Sequence, residues 1–498
     1  MSEQVVIRKL LSGVPGLDSL LGGGFPEYSF NIIAGAPGSG KTTLAHQLMF
    51  AQANQNCRAL YFTVLGEPAL KMLRYQQQFS FFDSKKVGDS VRFVNLTSDL
   101  TSGNFDLVLS RIVDEVKKYS PNLVFVDSFR SVVQAAGTLD KGVGKLQQFV
   151  QQLAMQMTGW QATTFLIGEY TLPDADPSPI FTVADGILWL SQNVHRNAMV
   201  RKMQVVKVRG QAQTPGWHTF RIGNAGILVF PRAIVGAATT GGEASGTARS
   251  DVRLSMGTPG LDAMLGGGLP AGYSLLVVGP SGSGKTILAT EFLAEGVRRG
   301  EPGVIAAFEK SPSQLLSGKL DALVTEGKVG VINTRSLDLS LDETLHDLIE
   351  MINRLQAKRV VIDSLSGFEL ALAPEFSEDF RSALYRMIAV LTDMGVTILV
   401  TSELEDRYTD LRFSPFGNAF LADAIVMQRY IEIEGEFKRA MSVVKVRGSV
   451  HSTALRLFSI SDDGIVIGDL LADYEGILSG RPINMVDAVQ GGERPWAG

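Results

Sequence analysis

The sequence predicts an α/β protein of two tandem domains, each a mostly parallel sheet wrapped by helices, and three observations carry that prediction. The chain repeats itself: SGVPGLDSLLGGGFPEYSFNIIAGAPGSGKTTLA (residues 12–45) returns as SMGTPGLDAMLGGGLPAGYSLLVVGPSGSGKTILA (residues 255–289), and an internal repeat of this kind sets the domain organisation. Each copy carries one glycine-rich GxxxxGKT stretch between an apolar run and a helical one. Short β-branched runs alternate with longer helical stretches in both halves, as in a parallel sheet with crossover helices.

The elements follow in the same order in each copy. FNIIAG, ALYFTV, NLVFVDS and TTFLIGE are the strand runs of the first half, and SLLVVG, GVIAAFE, RVVIDS and VTILVTSE those of the second. After them, ILWLSQ with MQVVKVRG, and IVMQRYIEIEGEFKRAMSVVKVRG, are expected as hairpin strands added at the sheet edge. Lys41 and Lys285 lie 244 residues apart, Asp127 and Asp363 236, and Lys207 and Lys445 238, so the halves are collinear apart from small insertions. Residues 236–250, GAATTGGEASGTARS, have the Gly, Ala, Ser and Thr content of a flexible linker. The expected organisation is a first domain over 1–235, a linker over 236–250, a second domain over 251–464 and a C-terminal tail over 465–498.

The glycine-rich stretches are Gly35-Ala36-Pro37-Gly38-Ser39-Gly40-Lys41-Thr42 and Gly279-Pro280-Ser281-Gly282-Ser283-Gly284-Lys285-Thr286. Both match the phosphate-binding loop, and a strand before and a helix after is the context its mechanism needs. Glycines let backbone N–H groups close around phosphates, Lys reaches the β and γ oxygens, and Thr ligates Mg²⁺. The ATP contacts expected here are Gly38, Ser39, Gly40, Lys41, Thr42 and Thr43, with Gly282, Ser283, Gly284, Lys285, Thr286 and Ile287. ATP and Mg²⁺ are the implied ligands, with Thr42, Thr286 and Glu309 on the metal.

Asp127 closes NLVFVD and Asp363 closes RVVID, each an apolar strand ending in an acid at the edge where ligands bind. They are the Walker B candidates; the alternative is a solvent-facing Asp at a strand end. A catalytic base must hold the attacking water, and Glu67 in YFTVLGEP and Glu309 in AAFEKSP stand at strand ends suited to it. The competing reading of both is a helix-start Glu favoured by the dipole. Lys207-Val208-Arg209-Gly210 and Lys445-Val446-Arg447-Gly448 repeat a KxRG at the hairpin end, far along the chain from their own phosphate loops. Paired cations there suit a neighbouring subunit's phosphates, which requires a ring; ordinary exposed charge is the alternative.

PGLDxxLGGG before GSGKT, the strand-end Glu, the hydrophobic-Asp-Ser and KxRG, all doubled, resemble the KaiC family and the wider RecA/RadA superfamily of ring ATPases. The resemblance covers nearly the whole chain and extends to Tyr474-Glu475-Gly476-Ile477-Leu478-Ser479-Gly480 in the tail. It implies RecA-like domains, a homohexamer of two rings with ATP at subunit interfaces, ATP hydrolysis, and serine/threonine autokinase activity in the second ring. By the same resemblance Arg439, Lys445, Arg447 and His451 contact ATP across the subunit boundary, and protein partners dock on the tail or the outer ring. The usual adjacent Ser/Thr acceptor pair before Asp423 is replaced by Ala419 and Phe420, with Ser414 near a third family hydroxyl. The family's neighbouring glutamates are reduced to Gly66-Glu67 and Glu309-Lys310.

Bulk composition narrows the remaining classes. At 498 residues, 45% apolar and 19% charged, the chain has the balance of a globular protein too long for one core. A net charge of −5 gives no global attraction for a phosphate backbone, and the loops TLPDADPSPIFTVAD and EDRYTDLRFSPFGNAFLAD are acidic or neutral. A DNA-handling motor is therefore the second reading, and a nucleotide-sensing scaffold with little turnover the third. The longest apolar runs are of strand length, below the roughly 20 residues of a bilayer span. Cys57 is the single cysteine, which excludes an intramolecular disulfide and fits a reducing, cytoplasmic setting. His218 and His451 belong to no metal-ligand spacing.

Overall fold

The computed structural model describes residues 7–64, 69–100, 105–129, 142–170, 179–195, 198–232, 252–308, 318–333, 340–372, 376, 380–404, 422–433, 435–462, 464–472, 474–475 and 483–484. The chain divides into two compact units, Met1–Arg232 and Ala233–Gly498. Each is built on a nine-stranded sheet with the same strand order, so the expected pair of α/β domains is what the chain forms. The linker 236–250 lies outside the described residues.

In the first unit the order across the sheet is Gly226–Phe230, Trp217–Gly223, Ala198–Val208, Gly186–His195, Phe30–Gly35, Thr163–Glu169, Leu123–Asp127, Ala59–Thr63 and Val91–Asn95. From Gly186–His195 to Val91–Asn95 neighbouring strands run parallel, and the three strands beyond are antiparallel. The second unit repeats this from Gly464–Leu470 through Arg456–Ser461, Glu436–Val446, Ala424–Ile433, Ser274–Gly279, Thr397–Glu403, Arg359–Asp363 and Gly303–Ala307 to Val329–Asn333.

Central strands are continuous apolar runs because both sheet faces are covered. FNIIAG and SLLVVG are buried at every position. Alternation then sends Phe30, Ile32 and Ala34 into one core and Ile33 into the other. The second core packs Ile33 with Leu44, Ala45 and Leu48 of the helix Lys41–Gln52, which begins where the glycine-rich loop ends. In the second unit Leu276 and Val278 face the helix Leu341–Leu355, and Leu275 and Val277 face the helix Lys285–Arg298. Leu341–Leu355 is capped by Ser340, whose hydroxyl accepts from the Glu343 N–H at 3.1 Å, with Asp342 and Glu343 at its positive end.

Two expectations need correcting. The strands holding ILWLSQ and IVMQRY are not edge additions: Gly186–His195 and Ala424–Ile433 pair parallel with the phosphate-loop strand, and Ile187, Leu188, Trp189 and Leu190 feed both cores. A further hairpin, Trp217–Gly223 with Gly226–Phe230, forms the edge. The second sheet also runs past residue 464, because Gly464–Leu470 is its edge strand, so the tail starts later than 465.

Candidate functional site

Each phosphate loop leaves the carboxyl end of a central strand and turns into a helix, and its glycines take backbone angles that other residues avoid. Gly38 has φ 75° and Gly40 φ 100°, and Gly282 and Gly284 repeat this at 76° and 105°. A side chain at Gly40 would place Cβ 2.8 Å from Ile222 Cδ1, and one at Gly284 2.8 Å from Ile460 Cδ1. The loop lysines fold onto their own backbone: Lys41 Nζ donates to Ala36 O at 2.8 Å, and Lys285 Nζ to Gly279 O and Pro280 O, both at 2.8 Å. Burial lowers the Lys41 pKa, and the charges of Glu169 and Asp127 work against that.

The Walker B candidates meet the loop threonines. Thr42 Oγ1 donates to Asp127 Oδ2 at 2.8 Å, and Thr286 Oγ1 to Asp363 Oδ2 at 2.8 Å. Both aspartates are followed by a cis peptide bond to serine. Tyr61 adds a second donor to Asp127 Oδ2 at 2.7 Å, whereas Thr401 donates to Asp363 Oδ1 at 2.5 Å. Burial raises the Asp127 pKa, and the Tyr61 and Thr42 hydroxyls and Lys41 oppose it.

Two clefts result. Gly38, Gly40, Lys41, Thr42, Thr43 and Asp127 line the first, and Gly282, Gly284, Lys285, Thr286, Ile287 and Asp363 the second. Ser39 and Ser283 are buried beneath the loops, and the Ser283 hydroxyl donates to Gln428 Oε1 at 2.9 Å. Glu67 and Glu309, with Gly66 and Lys310, lie outside the described residues. Their strands do arrive at the site, since Val64 N donates to Asp127 O at 2.8 Å and Phe308 N to Asp363 O at 3.3 Å.

Sequence reasoning missed two carboxylates. Glu169 lines the first cleft and Glu403 the second. Each ends the strand beside the phosphate-loop strand, opposite Gly35 and Gly279 respectively. The signal was the shared final Glu of TTFLIGE and TILVTSE.

The KxRG cations do not join their own clefts. Lys207 Nζ donates to Ala184 O at 2.6 Å and Arg209 pairs with Asp185 at 3.1 Å; Lys445 Nζ donates to Ala422 O at 2.7 Å and Arg447 pairs with Asp423 at 3.4 Å. Asp185 and Asp423 in turn accept from the N–H of Phe30 and of Ser274 at 3.0 and 3.1 Å, the first residues of the phosphate-loop strands. The cations therefore sit about 17 Å of strand away from their own loops. Arg439 lies six residues from Lys445 along its strand and covers the Tyr430 ring at 5.5 Å, with Tyr430 Oη beside Gly282. Arg201 occupies the matching position before Lys207 and was not singled out, although both are the sixth residue before the KxRG lysine. His451 Nδ1 lies 3.2 Å from Ser449 O. Ser414, Ala419, Phe420 and residues 476–482 lie outside the described residues.

Among the described residues no group of three or more His, Cys, Asp or Glu could hold a metal, and no helix is long and apolar enough to cross a membrane.

Comparison with known proteins agrees with the doubled domain. A family model described as "ATPase: KaiC" matches residues 10–234 and again 254–472. The circadian clock oscillator protein KaiC of Picosynechococcus sp. is 28% identical over 96% of this chain and 92% of its own length. That of Prochlorococcus marinus is 28% identical over 98% of both, and the circadian clock protein KaiC3 of Synechocystis sp. is 27% identical over 96% of this chain and 95% of its own.

Proposed function

The chain belongs to the KaiC ATPase family, and on that premise we propose that it is a ring ATPase that binds ATP with Mg²⁺ at both phosphate loops and passes its nucleotide state to a protein partner. The observation that carries this reading is the doubled contact of loop threonine with strand-end aspartate, 2.8 Å in each cleft. A hydroxyl and a carboxylate brought together beside a phosphate loop make the hard oxygen set that Mg²⁺ takes, so the residues fit the metal. Bound there, Mg²⁺ neutralises charge on the phosphate oxygens.

The chain's own groups have distinct tasks in this scheme. Backbone N–H groups of Gly38–Thr43 and Gly282–Ile287 cradle the phosphates, and Lys41 and Lys285 exchange their carbonyl partners for phosphate oxygens. Glu67 and Glu309 orient the attacking water and take its proton. Lys207, Arg209, Lys445 and Arg447, remote from their own loops, reach a neighbour's nucleotide together with Arg439 and His451. That makes the oligomer, a hexamer by family, part of each site. Ser414 is the candidate acceptor for the family's autokinase activity, in place of the adjacent pair. The setting is cytoplasmic, and the tail from Tyr474 or the outer ring is the partner surface.

Phosphate release and equilibrium ATP binding test the reading. Wild type binds two ATP per chain and turns over slowly, and Lys41→Ala and Lys285→Ala each remove one site. Stoichiometry of two in the Lys41→Ala, Lys285→Ala double variant sinks it.

A further inference from the structure

The two Walker B aspartates are held from opposite sides of their strands. In the first unit the donor is Tyr61, on the strand Ala59–Thr63 that pairs with Leu123–Asp127. In the second it is Thr401, on the strand Thr397–Glu403, the other neighbour of Arg359–Asp363. The positions are exchanged: the counterpart of Tyr61 is Ile305, which pairs with Val361 as Tyr61 does with Phe125, and the counterpart of Thr401 is Ile167, which pairs with Asp127. Besides the loop threonine, each half keeps one hydroxyl donor to its aspartate and puts isoleucine where the other half has that donor.

Both geometries follow from strand dimensions. Tyr61 lies two residues before Thr63, the partner of Asp127, a rise of about 7 Å that the length of a phenol ring covers. Its ring is fully buried, stacked on Phe125 at 5.8 Å and 18° and leaning on Phe93 at 5.4 Å and His46 at 4.7 Å. The hydroxyl is thereby fixed before any ligand arrives. Thr401 is also buried and reaches Asp363 from the adjoining strand. The outcome differs at the carboxylates: Tyr61 and Thr42 converge on Oδ2 of Asp127, leaving Oδ1 without a donor among the described residues, whereas Thr286 and Thr401 divide Oδ2 and Oδ1 of Asp363 between them.

The geometry points to Tyr61 and Thr401 as positioning residues, each fixing the orientation in which its own Walker B carboxylate meets Mg²⁺, so that the two sites are set independently by side chains on exchanged strands. This rests on the assignment of Asp127 and Asp363 to the metal. Neither hydroxyl lies in the cleft lining beside the phosphate loop, so each acts through its aspartate.

The test is ATP binding by the full chain as a function of Mg²⁺, with the other site silenced by Lys285→Ala or Lys41→Ala. Tyr61→Phe, which keeps the ring and removes the hydroxyl, is expected to raise the Mg²⁺ concentration for half-maximal effect at the first site about tenfold, the scale of one hydrogen bond to a charged group. It leaves Mg²⁺-free ATP affinity and the second site's Mg²⁺ dependence as in wild type, which also reports intact folding. Thr401→Val does the converse. A first-site Mg²⁺ dependence within twofold of wild type in Tyr61→Phe overturns the proposal, as does an equal loss of Mg²⁺-free affinity. Asp127→Asn separates the two levels: if it too leaves Mg²⁺ dependence unchanged, the metal assignment beneath the proposal has failed.

Discussion

The Thr286 hydroxyl meets the Asp363 carboxylate at 2.8 Å, and Thr42 meets Asp127 at the same distance, although the two halves have exchanged most of the side chains between these points. A contact kept through such drift ties the first turn of one helix to the end of a strand two places away in the sheet. Asp127→Asn and Asp363→Asn are each expected to lower Mg²⁺-dependent turnover at their own site about hundredfold, with the other site unaffected. Phosphate release in single-site backgrounds measures it.

Gly40 opens its helix at φ 100°. Gly40→Ala forces a non-glycine residue into that region at about 1–3 kcal/mol, while the Ile222 methyl in its way can rotate. The expected result is a lower melting temperature together with weaker ATP binding at the first site, read by thermal melts with and without nucleotide.

Glu67→Gln and Glu309→Gln test the assignment of the base. Each is expected to lower turnover at its site by about 10²–10⁴-fold with little loss of ATP affinity. Unchanged hydrolysis in both, with a fall in Glu169→Gln or Glu403→Gln, moves the base to the strand-end glutamates that line the clefts.

His46 is fully buried among the rings of Phe50, Tyr61 and Phe93. Burial lowers its pKa from 6.5 to about 4, and the Gln76 side chain works against that. The unfolded chain binds the proton first, so stability from the neutral ring is complete above pH 6.5 and is lost as pH falls towards 4, by up to about 3 kcal/mol. His46→Phe removes this part of the pH dependence, and denaturant titrations of the first unit at pH 7.5 and 4.5 compare the two slopes.

Much of this was legible in the sequence, for identifiable reasons. The phosphate loops are read directly because their chemistry fixes residue types at fixed spacing, and Asp127 and Asp363 because an apolar run ending in an acid has a place in such a sheet. Tyr61 was not legible: it reads as one more apolar strand residue, and its repeat partner is Ile305, so the duplication hides it. The parallel placement of Gly186–His195 was also missed, since a buried strand followed by a tight turn has the same pattern whether the hairpin starts at the edge or inside. Glu169 and Glu403 carried a signal, but one that acquires meaning when their strands are seen beside Gly35 and Gly279.

In the proposed ring, completion of each ATP site by a neighbouring subunit falls to Lys207, Arg209, Lys445 and Arg447. Arg209 and Arg447 are more than half exposed in their pairs with Asp185 and Asp423, so each pair contributes about 0–1 kcal/mol to folding and its loss scarcely moves the melting temperature. The most direct measurement is mass photometry with and without ATP and Mg²⁺, run alongside phosphate release, on wild type and on Arg209→Ala with Arg447→Ala. The expected result is a hexamer that forms with ATP and turns over slowly, and a variant that melts like wild type but loses turnover. A wild-type monomer with full turnover, or a variant that hydrolyses ATP as wild type does, contradicts it.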